Sequence, residues 1–174
     1  MPAVSDSGSL IWLAKAGKIR LLRDLFEEII IPPQVYNEVV SEGLKAGFSD
    51  ALAVEEAVKE GWIRVVGLDG NDEEISRRIS EGAREIHLGE AQAMVLARRR
   101  SEMLLMDESC GRALAEALGL RVRGTLYVVL RSLRLGHMSK QEAKDTISVM
   151  VSRGFRLEPK LLTRVLEEID RFQG

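Results

Sequence analysis

The sequence predicts an α/β protein: a three-layer α/β/α sandwich with a mostly parallel central sheet, followed by a C-terminal helical hairpin. Three observations carry that expectation. Short apolar runs alternate with stretches of helical periodicity, and a strand–helix–strand order favours parallel pairing with helices on both faces. Glycine and proline mark the changes, as at Gly17, Pro32-Pro33, Gly61 and Gly119. The length, 174 residues, suits a single core with a helical appendage. The alternation runs through residues 1–136, and residues 137–174 read as a helical extension packed on that domain or on a second copy of the chain.

Ala3-Val4-Ser5 reads as a strand, Asp6-Ser7-Gly8-Ser9 as a turn, and Leu10, Ile11, Leu13 and Ala14 recur at helical spacing. A short apolar-periodic piece covers Ile19 to Phe26. Glu28-Ile29-Ile30-Ile31 is β-branched and therefore strand-like, and Pro32-Pro33 stops it because proline cannot donate to a ladder. Pro33 suits the first turn of a helix whose stripe is Val35, Tyr36, Val39, Val40 and Leu44, with Glu38 beside it. Ser49 to Glu60 reads as a helix ending at Gly61, and Trp62-Ile63-Arg64-Val65-Val66 alternates as a strand does. After the Asp69-Gly70-Asn71-Asp72 cluster come two helical stretches, Glu73 to Glu81 and Leu88 to Arg100.

Met103-Leu104-Leu105-Met106 is a short apolar run that stops at Asp107. Ala113, Leu114, Ala117 and Leu118 then give a helix closed by Gly119, Leu120 to Val122 a last strand, and Leu126 to Leu135 another helix. Ser139-Lys140-Gln141-Glu142 has the form of a capping box ahead of Ala143, Ile147, Met150 and Val151. Pro159 opens a final helix with Leu161, Leu162, Val165, Leu166, Ile169 and Phe172 on its apolar face.

Composition excludes several classes. Lys plus Arg number 25 against 27 Asp plus Glu, a net charge of −2, so no global positive charge marks a nucleic-acid binder and any basic surface is local. One cysteine, Cys110, forms no intrachain disulfide, and with only His87 and His137 as further soft ligands a structural zinc site is not expected. No apolar stretch approaches the about 18–20 residues of a membrane span, and the N-terminus lacks a basic region followed by an apolar one. The expected location is the cytoplasm, with no membrane partner.

Four acids carry the chemistry. Asp6 and Asp107 are each the first polar residue after an apolar run read as a strand, so both point at the same sheet edge, where ligands bind in such folds. Glu38 follows the second strand, and Glu90 begins the helix that leads to the strand ending at Asp107; all four can converge there. Carboxylates about 4 Å apart repel by about 4 kcal/mol per pair at an effective dielectric near 20, so such a cluster calls for a cation or a shared proton. With oxygen ligands only, the natural cation is Mg²⁺ or Mn²⁺, which lowers the pKa of water and neutralises a phosphodiester under attack.

The segments Val4-Ser5-Asp6-Ser7-Gly8-Ser9-Leu10-Ile11-Trp12-Leu13-Ala14, Ile31-Pro32-Pro33-Gln34-Val35-Tyr36-Asn37-Glu38-Val39, Gly89-Glu90-Ala91-Gln92-Ala93 and Leu104-Leu105-Met106-Asp107-Glu108 with Gly111-Arg112 resemble the PIN domain, over about Val4 to Gly136. The resemblance implies a metal-dependent ribonuclease, with Asp6, Glu38, Glu90 and Asp107 as the acidic cluster. Asp6, Glu90 and Asp107 would hold the metal, Ser7 and Arg112 would contact substrate, and Glu108 would be an auxiliary acid. It also implies RNA as partner and, as in the toxins of toxin–antitoxin pairs, a small antitoxin protein and a homodimer. Two positions depart from the family's pattern: many PIN nucleases carry Asp where Glu90 stands and Thr or Asn where this chain has Met106.

Each acid also has an ordinary reading. Asp6 and Asp107 are good helix N-caps, Glu90 suits the first turn of its helix, and Glu38 alone would be a solvated helix residue. Between residues 98 and 140 nine Lys/Arg stand against four acids, whereas residues 36–60 hold two against six, which places a basic flank beside the acids. The rival to a ribonuclease is a PIN-like RNA- or protein-binding module with weak or absent catalysis. A phosphatase is disfavoured because Gly8 stands where an Asp-x-Asp motif needs its second acid, and no phosphate-binding Gly-x-x-x-x-Gly-Lys-Ser/Thr motif exists.

Overall fold

Side-chain alternation in five short strands sorts the apolar residues into two cores. The computed structural model describes residues 1–172; Gln173 and Gly174, the end of the expected C-terminal extension, lie outside the described residues. The strands are β1 (Ala3–Ser5), β2 (Ile29–Ile31), β3 (Ile63–Val65), β4 (Met103–Leu105) and β5 (Val122–Arg123), all parallel, in the order β3-β2-β1-β4-β5. Ala3, Ile29, Ile31 and Leu105 face one core, and Val4, Ile30, Leu104 and Met106 the other. The inner strands β1, β2 and β4 are covered on both faces and read as continuous apolar runs, whereas the edge strands β3 and β5 expose Arg64, Val65 and Arg123.

The first core is built with helices α1 (Ser7–Lys15), α2 (Arg20–Leu25), α5 (Ser49–Lys59) and α9 (Thr125–Arg134). Pro33–Tyr36 (α3) and Glu42–Lys45 (α4) are joined by a π-helical turn, Asn37–Ser41, so the chain winds without a break from Pro33 to Lys45. A regular helix is expected there from the sequence. The wider turn accompanies adjacent buried residues, Val39 and Val40, and it contains Glu38. The second core packs α7 (Leu88–Arg100) with α6 (Gly70–Gly82) and α8 (Ser109–Ala117). These two helical layers enclose the sheet, giving the α/β/α sandwich.

The last two helices, α10 (Lys140–Ser152) and α11 (Pro159–Arg171), bury Ile147, Met150, Val165 and Ile169 in the first core alongside α1 and α9. Ser139 caps α10 as expected, accepting from the Glu142 amide at 3.2 Å while Glu142 accepts from Ser139 N–H at 2.8 Å. Arg134 and Glu168 pair α9 to α11. The π-helical turn apart, differences from the sequence expectations sit at the edges of elements. The helix α6 starts at Gly70 because Asp69 caps it, accepting from Asp72 N–H at 2.9 Å, and β5 begins two residues later than the expected run and ends one residue later.

Strand order fixes where a ligand goes. The chain lays β2 and β3 on one side of β1 and then crosses to place β4 and β5 on the other, so the direction of winding reverses between β1 and β4. A crevice opens beyond the carboxyl ends of two such strands.

Candidate active site

Asp6 and Asp107 flank that crevice. Asp6 follows β1, and its N–H donates to Leu105 O of β4 at 3.0 Å, an extension of the ladder that fixes where its side chain begins. Its carboxylate caps α1, accepting from Ser9 N–H at 3.2 Å, so the ordinary role anticipated for it is real. Ser9 also reaches the second aspartate: its hydroxyl donates to Asp107 Oδ2 at 3.3 Å. Asp107, by contrast, does not cap the helix after it. It accepts from the first amide of α9, Thr125 N–H, at 2.8 Å and from the Thr125 hydroxyl at 2.5 Å.

The two glutamates are held from other directions. Glu38 accepts from the Ser7 hydroxyl at 2.5 Å and from Gln34 Nε2 at 3.1 Å. It lies against Gly89, where a Cβ would stand 2.7 Å and 2.8 Å from its two carboxylate oxygens. Glycine is thus required by close approach rather than by backbone conformation. Glu90 turns back on its own helix, accepting from His87 N–H at 2.8 Å. A Cβ on Gly124 would likewise stand 2.6 Å from Asp107 Oδ1, so a second glycine leaves room for a second acid.

Burial and like charge define the electrostatics. Asp6 is only 3% exposed, and desolvation first, then the neighbouring Asp107, push its pKa well above the ordinary 3.8, with the Ser9 amide opposing. Glu90 is also raised, mainly by burial, with Glu108 and Glu38 adding to the rise and the His87 amide opposing it. These couplings link Asp6, Asp107, Glu90, Glu38 and Glu108 into one acidic field.

The acids line a cleft of about 860 Å³. Ser7, Glu38, Glu90, Asp107 and Glu108 line it with Asp6, as the sequence predicts. Arg112 does not. Its guanidinium donates to Met106 O at 2.9 Å, lies 3.7 Å from Glu116 and sits beside Gly124, outside the residues that line the cleft. Sequence reading also passed over Ser9, Gln34, Gly89 and Thr125, which hold or admit the acids. For Thr125 a signal existed, since it follows a strand just as Asp6 and Asp107 do. On the cleft's far wall, Trp12 belongs to the apolar pattern of α1, and Gly154 to Arg156 carried no signal because they lie in the C-terminal extension.

An all-oxygen donor set of mutually repelling carboxylates, with no Lys or Arg bonded to Asp6, Glu38, Glu90 or Asp107, fits a hard divalent cation. Among the described residues no three His, Cys, Asp or Glu side chains stand close enough to grip one ion as they are; Asp6 and Asp107 rest on Ser9 and Thr125, Glu38 on Ser7 and Gln34, and Glu90 on His87 N–H. Binding would therefore require the carboxylates to turn inward from those donors.

Among the described residues, no helix is long and apolar enough to cross a membrane. No curated protein matches the chain. The family model DUF3368, a PIN domain, matches residues 2–171, so the match extends through α11. With a parallel five-stranded sandwich, acids at its switch point and a family match along nearly its whole length, the chain belongs to the PIN-domain family and has its nuclease-like fold.

Proposed function

We propose that the protein is a metal-dependent ribonuclease that hydrolyses RNA phosphodiester bonds in the acidic cleft. One observation carries the reading: Asp6 and Asp107 emerge from adjacent parallel strands at the reversal of winding, share Ser9, and have Glu38 and Glu90 beside them. Asp6, Glu90 and Asp107 would hold Mg²⁺ or Mn²⁺, with Glu38 completing the set directly or through water and Glu108 as an auxiliary acid. When bound, such a cation lowers the pKa of water and offsets charge on a phosphodiester.

The chain's own residues do the positioning. Ser9 sets the two aspartates relative to each other, and Thr125 fixes the plane of the Asp107 carboxylate through two bonds. Ser7 keeps Glu38 turned into the cleft, so its role is to orient an acid rather than to touch substrate. Burial and Asp107 favour the protonated form of Asp6, and a proton there competes with a cation, so cation binding is expected to strengthen as pH rises.

The test is cleavage of a mixed pool of short single-stranded RNAs with Mn²⁺, Mg²⁺ or EDTA, with D6N alongside to expose contaminating ribonuclease. Cleavage that needs metal and is lost in D6N supports the reading; no cleavage, or equal cleavage by both proteins, overturns it. A second reading, an RNA- or protein-binding module without useful catalysis, is favoured by the acids resting on local donors rather than gathered in threes. Its mark is RNA binding with no metal-dependent cutting. Growth arrest on expression of the wild-type chain, absent with D6N, is the corresponding test of a toxin role.

A further inference from the structure

The cleft has a charged wall that the acids do not supply. Six carboxylate residues line it, Asp6, Glu38, Glu85, Glu90, Asp107 and Glu108, and the one Lys or Arg among the lining residues is Arg156. That arginine comes from the loop between α10 and α11, far in sequence from every acid. Some arginines elsewhere are tied to carboxylates, as Arg20 and Arg23 are to Glu60 and Arg99 to Asp72, and others, such as Arg98 and Arg100, have no carboxylate partner among the described residues but stand away from the cleft. Among the described residues Arg156 is exposed and has no such partner.

The loop is nevertheless firmly seated. Phe155 is buried and packs edge-on against Trp12, with ring centroids 5.4 Å apart at 65°, and its N–H donates to Met150 O at 2.9 Å. Arg153 donates to Lys15 O at 2.7 Å, and Gly154, at a φ of 103° that favours glycine, lies over the Trp12 ring edge. Trp12 and Lys15 belong to α1, the helix capped by Asp6. Lys15 Nζ stands 5.0 Å from the Trp12 ring centroid and brings a second cation to this rim. The base of Arg156 is thus fixed relative to the acids while its guanidinium is free.

Resting on the ribonuclease reading, we infer that Arg156 grips a backbone phosphate of single-stranded RNA, beside Trp12, and so holds the strand across the acidic floor of the cleft. A guanidinium suits this task because its planar fork matches two phosphate oxygens and it stays charged at every working pH. A polyanion entering six carboxylates needs an attractive contact besides any cation the acids hold. The loop between α10 and α11 supplies that contact, which gives the C-terminal helices a part in substrate binding.

The experiment compares wild type, R156A and R156K in Mn²⁺ with short single-stranded RNA, thermal melting confirming that each folds. The expected result for R156A is a KM about fivefold higher, kcat within about twofold, and a salt dependence of log kcat/KM shallower by about 0.7, the loss of one phosphate contact on a single strand. R156K is expected to recover much of the KM. Unchanged KM and salt slope overturn the inference while leaving the ribonuclease intact, as does a fall in kcat alone, which would place Arg156 among the acids. If wild type cuts nothing, the ribonuclease reading fails by itself. Anisotropy of labelled RNA in Mn²⁺ then decides the Arg156 contact: weaker binding by R156A supports it, and equal or no binding by wild type and variant overturns it.

Discussion

Asp6 combines a structural bond with an unfavourable environment. Its cap to Ser9 stabilises α1, while burial and Asp107 oppose its charge. An acid whose pKa is raised on folding binds more protons in the native than in the unfolded state, so stability falls as pH rises from the ordinary 3.8 through the raised value. Asn caps a helix as well as Asp does and carries no charge. In chelator above neutral pH, D6N is therefore expected to melt at the same temperature as wild type or higher, and its stability to vary less with pH. A large loss of stability would mean that the ionised carboxylate is a structural necessity. Gly89 gives a complementary test. In G89A the new Cβ displaces the Glu38 carboxylate from between Ser7 and Gln34, since the end of a flexible side chain yields more easily than helix backbone. Melting is expected to change by less than about 1 kcal/mol, because alanine favours the helix, while cleavage falls at least about tenfold. Unaltered cleavage would remove Glu38 from the working site.

At the level of elements, β1 and β4 and the aspartates that follow them were legible because two-sided burial leaves an apolar run that must stop where polar chemistry begins. Leu88–Arg100 matched its expected span for a related reason: His87 and Glu90 close its start, and Ser101 in the left-handed region ends it. The π-helical turn holding Glu38 was not legible, since Val35, Val39 and Val40 fit a regular helical stripe equally well. Arg112 was misplaced because its spacing from Asp107 fixes its turn of helix but not its partner, the Met106 carbonyl. The hydroxyl contacts that hold Asp107 were not legible for a similar reason: Ser9 and Thr125 reach it across 98 and 18 residues, so even where a strand end marks Thr125 as a candidate, no local pattern names its partner. S139A measures one element signal that did hold. Loss of the cap of α10 is expected to cost about 1 kcal/mol in denaturant unfolding, and no change would deny the cap a stabilising role.

Across the whole molecule, the same core that buries α10 and α11 carries α1 and hence Asp6 and Trp12. Ile147 is fully buried there, so I147A is expected to cost about 2–4 kcal/mol and to lower the melting temperature in a chemical or thermal scan; a cost under about 1 kcal/mol would show α10 to be loosely attached. The sheet fixes the acidic floor and the C-terminal helices fix the basic rim, leaving a cleft with six acidic residues and one arginine. Such a site is charge-balanced only when something positive joins it. The central claim is that these carboxylates form a divalent-cation site, and the most direct measurement is calorimetric titration of Mn²⁺ into the metal-free protein above neutral pH, with D6N alongside. The account expects saturable binding by wild type, weakened by at least about tenfold in D6N. No binding by wild type, or equal binding by both proteins, would contradict it.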